Sequence, residues 1–166
     1  GFDLYAELVA EAVAEMSGKA VEKTEPIEVR IDLPVDAHLP EDYVADQEQR
    51  LEAYRRLAVA VTHPEVDDVA AEWEDRYGPL PPAAEALVGL ARLRVEAIRV
   101  GLSEIVKLRH EIRLSPVDLK PSQEVRLTRL RPRAVLRAKE GVLFVPARQP
   151  LVEDLIGFLR EMWPED

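Results

Sequence analysis

At Gly101 the hydrophobic period of this chain changes, and no other feature constrains its fold as much. Before Gly101, apolar residues recur every three or four positions over long stretches; after it they come in short alternating runs. The first pattern buries one stripe of a helix, and the second buries one face of a strand. A chain that carries both, largely separated along its length, folds as α+β. The expected architecture is several helices packed with a small, mainly antiparallel sheet and a closing C-terminal helix.

The helical part has legible ends. Residues 1–18 place Tyr5, Leu8, Val9, Ala12 and Met16 on one face and stop at Ser17-Gly18; a polar linker follows. IEVRIDLP, from Ile27, alternates as a half-buried strand does. A helix starting near Asp46, with Gln49 three positions on, carries Leu51, Tyr54, Ala58 and Val61 as its stripe. Thr62 and Glu65 form a second capping pair, and the helix they open runs over 63–77, closed by Gly78 and Pro79. Another helix covers about 82–100, with Ala84, Leu87, Val88, Ala91, Val95 and Ile98 inward. Beyond Gly101, EIVKLRHEIRL reads as one or two strands, and RAVLRAKEGVLFVPA as a hairpin turning at Lys139-Glu140-Gly141. The span between them fits neither period. The last helix, about 150–163, buries Leu151, Leu155, Phe158, Leu159 and Met162.

Charge divides the chain at the same place as periodicity. Residues 1–100 hold 22 acids and 10 bases, a net −12, whereas 101–148 hold 5 acids and 11 bases, a net +6. The acidic part suits a basic protein partner and repels nucleic acid; the basic part, with Arg126, Arg129, Arg131, Arg133 and Arg137, keeps nucleic-acid binding open. Single-strand readers add exposed aromatics to such charge, and the aromatic nearby, Phe144, reads as core.

The usual chemistries find no motif. There is no cysteine, which excludes disulfides and thiolate sites and fits a cytoplasmic location. His38, His63 and His110 lack metal-ligand spacing, and Ser17, Ser103, Ser115 and Ser122 sit where turns and caps need them. Neither phosphate-binding glycine motif occurs. No apolar run is long enough to span a bilayer, and no signal peptide is written in the chain. The opening Gly1-Phe2-Asp3, without Met, is expected of a piece of a longer protein.

One helix is charged against its own dipole. On 63–77, Val66, Val69, Ala70, Trp73 and Tyr77 share a face, and Glu65, Asp68, Glu72 and Asp75 form a stripe nearly opposite. Glu65 complements the positive helix N-terminus. Glu72 and Asp75 approach the negative end, where an acid costs about 0.3–1 kcal/mol. Asp68 and Glu72 repel one turn apart, and Arg76 is placed to offset part of this. Such a stripe is either a solvated face or a docking surface for arginine or lysine of a partner.

GFDLY, LPEDYVAD, RLEAYRRLA, DRYGPLP and ARLR follow one another in an order and spacing that resemble the C-terminal part of bacterial transcription-repair coupling factors. The likeness is strongest over residues 1–101 and architectural beyond. It implies that 1–26 are a connecting helix and linker from a translocase module and that 27–166 form the C-terminal regulatory domain. In that family the motor uses ATP and magnesium, displaces stalled RNA polymerase from damaged DNA and recruits UvrA. The resemblance implies that this fragment has no cofactor and no catalytic activity of its own. It implies docking on an intramolecular UvrB-homology module, masking that module's UvrA-binding surface, with Glu72 and Asp75 facing arginines, and Asp68 and Glu65 on the same stripe. Contact with UvrA, RNA polymerase and DNA would then be indirect, and no membrane is involved. Two other readings stand beside it: a nucleic-acid-binding accessory domain using the basic 126–137 segment, and a small enzyme built on a carboxylate pair.

Overall fold

The computed structural model describes residues 28–165. The helix and linker expected over 1–26 therefore lie outside the described residues. Five helices and a five-stranded sheet follow in the order β1 (Arg30–Asp32), α1 (Gln47–Ala58), α2 (His63–Tyr77), α3 (Pro82–Val100), β2 (Glu104–Lys107), β3 (Glu111–Ser115), α4 (Pro121–Leu130), β4 (Val135–Arg137), β5 (Val142–Pro146) and α5 (Leu151–Met162). The fold is α+β, as the change in periodicity requires. By their contacts the residues form two compact units, one holding Val35–Val95, the other Val29–Pro34 and Glu96–Asp166.

In the first unit α1 and α2 each begin where a side chain can receive an orphan N–H group. Asp46 caps α1 by accepting from the Gln49 N–H at 2.9 Å. Ala53, Tyr54, Leu57 and Ala58 are the buried residues of α1. Leu51 is half-buried and Val61 is 41% exposed, which corrects the expected stripe. The helix ends at Ala58, so Val61 never shares its face. The Arg94 guanidinium, 3% exposed, donates to the Ala60 carbonyl at 2.8 Å and ties down the chain that leaves α1.

The helix α3 is buried far beyond one stripe: Leu87, Val88, Leu90, Ala91 and every residue from Leu93 to Ala97 are buried. Its expected inward set was too narrow, and Ile98 is only half-buried. The division between the units falls inside this helix, after Val95. Gly101, at φ +83, ends it in a conformation that L side chains rarely adopt.

In the second unit the strand order is β1-β2-β3-β5-β4. Among these strands β1 and β2 pair in parallel; the other neighbours are antiparallel. The register sets Ile105 beside Leu114, Ile112 beside Val145 and Leu114 beside Leu143, and all five are buried. The side chains of α5 add Leu151, Leu155, Phe158, Leu159 and Met162 to this core, as its period predicts. Phe144 alternates away from it and is half-buried beneath the Arg137 guanidinium, 5.4 Å from the ring centre, which corrects its reading as core. Glu96, with no exposed surface, pairs with Arg99 at 3.0 Å and Arg160 at 3.8 Å; Arg99 also donates to the Trp163 carbonyl at 2.6 Å.

The unassigned span 115–133 contains α4. Pro121 stands in its first turn, and the Gln123 side chain accepts from the Lys120 N–H at 2.8 Å. Its one fully buried residue is Leu127, and Val125 is 73% exposed, so no apolar stripe announces it.

Candidate functional site

The helix α2 lies in the first unit with its ends as expected. Thr62 Oγ1 accepts from the Glu65 N–H at 3.3 Å, and its hydroxyl donates to Glu65 Oε1 at 3.0 Å. At the far end Gly78, at φ +93, donates its N–H to the Glu74 carbonyl. Val66, Val69 and Trp73 are buried, with at most 4% of their surface exposed. That anchors one side and leaves the acids on the other.

The four stripe acids have different surroundings. Glu65 is used at the helix start by Thr62. Glu72 is half-buried and ion-paired twice, with Arg56 of α1 and with Arg76 one turn on at 3.6 Å. Asp68 and Asp75 are exposed and have no ion-pair partner among the described residues. Asp67, outside the stripe, pairs with Arg92 of α3 at 2.7 Å. The two stripe acids near the negative end of the helix thus differ. Glu72 is compensated by two arginines, and Asp75 is left uncompensated in solvent.

Arg56 had no part in the sequence reading. It stands 16 residues before Glu72, and no helical spacing links them; only the packing of α1 against α2 does. A small groove of about 90 Å³ runs beside the pair, lined by Gln49, Glu52, Arg56, Glu72, Trp73 and Arg76 among others.

Tyr43, within the LPEDY motif, supports the C-terminal end of α2. Its hydroxyl donates to the Gly78 carbonyl at 2.7 Å, and its ring meets Tyr77 edge-on at 5.7 Å. Burial pushes the Tyr43 phenol above its ordinary value, with the Glu74 carboxylate and Tyr77 adding to the shift. The neutral phenol is the donor the site requires, so the shift favours the contact.

The arginines of the basic segment are largely occupied within the second unit. Arg126 donates to the Met162 carbonyl at 2.9 Å, and Arg131 pairs with Asp154 at 3.2 Å and lies 5.0 Å from the Phe158 ring centre. Arg137 pairs with Glu140 at 3.8 Å. Arg129 and Arg133 remain exposed. Among the described residues no three of His, Asp and Glu are grouped to hold a metal ion, and no helix is long and apolar enough to cross a membrane.

The family model for the TRCF domain matches residues 33–127. That span contains α1, α2 and α3 and covers more than half of the chain. The chain belongs to the TRCF domain family. The chain is 46% identical over 156 residues to the transcription-repair-coupling factor of Mycobacterium tuberculosis (strain CDC 1551 / Oshkosh), covering 88% of the chain and 13% of that protein. It is 40% identical over 113 residues to the factor of Myxococcus xanthus, covering 64% of the chain and 9% of the relative. The TRCF domain therefore spans about an eighth of the length of the mycobacterial relative or less. Its fold superposes with TM-score 0.71 on a crystal structure of the C-terminal domain of transcription-repair coupling factor, at 16% identity, covering 81% of this chain and 91% of that one. The likeness of the fold thus extends past residue 101, where quotable motifs end.

Proposed function

We propose that residues 27–166 are a noncatalytic regulatory domain of a transcription-coupled DNA-repair translocase, and that the acidic face of α2 docks on the UvrB-homology module of the same protein and masks its UvrA-binding surface. The observation that supports this reading is the placement of Asp68 and Asp75. Both carboxylates stand in solvent on a helix whose other side is anchored by Val66, Val69 and Trp73, and neither has an ion-pair partner among the described residues. Each is available to a guanidinium, and the rigid helix holds them two turns apart. Glu72 and Glu65 flank them with carboxylates already engaged.

In this reading residues 1–26 connect the domain to the motor, where ATP and magnesium act, and the domain itself holds no cofactor. UvrA, RNA polymerase and DNA are reached through the parent protein, in the bacterial cytoplasm. The mechanism is occlusion: a charge-paired surface stays covered until the motor engages polymerase and DNA.

The test is titration of this chain with the separately purified UvrB-homology module at two salt concentrations. Reversal of Glu72 and Asp75 to lysine is expected to weaken docking, but it also sets a new cation against Arg56 and Arg76. The cleaner variant is Asp68→Lys with Asp75→Lys, which touches no internal ion pair. If that variant docks as tightly as the parent chain, in a fusion that tethers the two modules as well as in solution, the latch reading fails.

A further inference from the structure

We propose that Arg56 and Arg76 act as built-in competitors for the Glu72 carboxylate and so regulate how tightly the acidic face holds a cationic partner. This rests on the docking reading above. Glu72 lies at the edge of the acidic face nearest α1, where Arg56 reaches it from the neighbouring helix and Arg76 from one turn along its own. The three side chains are 44% (Arg56), 48% (Arg76) and 32% (Glu72) exposed, so the cluster touches water, although the Glu72 Oε2 that Arg56 meets is itself buried.

That exposure decides the energetics. A buried pair would resist exchange, because removing one partner strands a charge in a dry site. A pair whose side chains stay partly in water is worth less than a buried one and exchanges more readily. A partner's arginine arriving at Glu72 replaces a guanidinium with a guanidinium, and its net gain is reduced by the contact it breaks. The displaced Arg56 has a second carboxylate within helical reach. Glu52 precedes it by four residues on α1, the favourable order for such a pair, and lines the same groove. Asp68 and Asp75 take a cation with no such exchange. The acidic face therefore combines two carboxylates of full strength with one whose strength Arg56 and Arg76 set.

The experiment is a double-mutant cycle on docking: the parent chain, Arg56→Gln, Glu72→Gln and the double variant, each titrated with the UvrB-homology module at low salt. Arg56→Gln is expected to tighten docking about two- to fivefold when Glu72 is present, and to leave it unchanged when residue 72 is Gln. Arg56→Lys, which keeps the charge but not the planar fork, is expected to fall between. Equal tightening in both backgrounds would mean a general change of field and overturns the proposal. Weaker docking by Arg56→Gln overturns it in the other direction, because Arg56 would then be presenting Glu72 to the partner. Asp75→Lys separates the two levels of inference. If Asp75→Lys weakens docking while the cycle shows no coupling, competition alone fails; if no chain docks, in solution or in the tethered fusion, the latch and the competition fall together. Melting temperatures of all variants check that each remains folded.

Discussion

Asp75 puts stability and binding in opposition at a single residue. It stands uncompensated in the last turn of α2, where the helix carbonyls make the end negative. Asp75→Lys is expected to raise unfolding stability by about 0.3–1 kcal/mol and, in the docking reading, to weaken partner binding. Urea unfolding and titration of the same sample check the two signs. A residue that lowers stability while serving a surface is where function is to be sought. Tyr43 offers a second single-residue test, with a pH dependence. Its phenol is raised in the folded state, first by burial and then by Glu74 and Tyr77. The stabilisation is therefore complete below the unfolded phenol value, near 10.0, and is lost as pH rises through the folded value. Tyr43→Phe is expected to cost about 0.5–1.5 kcal/mol near neutral pH, and the gap to the parent chain to close in alkaline buffer. Denaturation at both pH values measures it.

At the scale of elements, the ends of α2 were legible in the sequence and the ends of α4 were not. Thr62, Glu65, Gly78 and Pro79 each supply a local reason for a boundary, and local reasons survive in any tertiary context. Gly78 takes φ +93 and ψ −174, a region essentially reserved for glycine. Nothing lies within 4 Å of a Cβ added there, so strain alone sets the cost of Gly78→Ala. That cost is expected to be about 1–3 kcal/mol, read as a lower denaturation midpoint with an unchanged slope. By contrast α4 rests on the Gln123 side-chain contact, Pro121 and one buried leucine, and its exposed Val125 breaks the pattern on which periodicity depends. The hairpin was readable because Gly141, at φ +67, marks its turn.

At the scale of the molecule, charge is distributed so that the acidic stripe and the basic segment fall in different compact units. The arginines of the basic segment are mostly committed to contacts within their own unit: Arg126, Arg131 and Arg137 each have an acceptor or carboxylate there. On the acidic stripe of α2, Asp68 and Asp75 keep their carboxylates in solvent without an ion pair among the described residues. Docking through them is expected to weaken steeply between low and physiological salt, because exposed charges are screened beyond about 10 Å at 0.1 M. Titration across a salt series measures this, and a binding constant independent of salt would rule out charge-led docking. Binding of single-stranded DNA at low salt, lost on Arg129→Ala with Arg133→Ala, would instead favour the basic segment.

The class of fold, the helix caps, the glycine turns and the buried face of α5 could all be read before the structure, since each follows from residues within a few positions of one another. The acidic stripe could be read for the same reason: it is a period along one helix. Its chemistry could not. The spacing of Arg76 one turn after Glu72 marks one partner of that carboxylate, but the contact from Arg56, like the one from Arg92 to Asp67, depends on α1 and α3 meeting α2. The extra buried faces of α3 were hidden likewise, because Leu90, Leu93 and Arg94 lie outside its single apolar stripe and only packing covers them. Local physics writes itself into the chain, whereas ion pairing across elements exists only once distant segments have met.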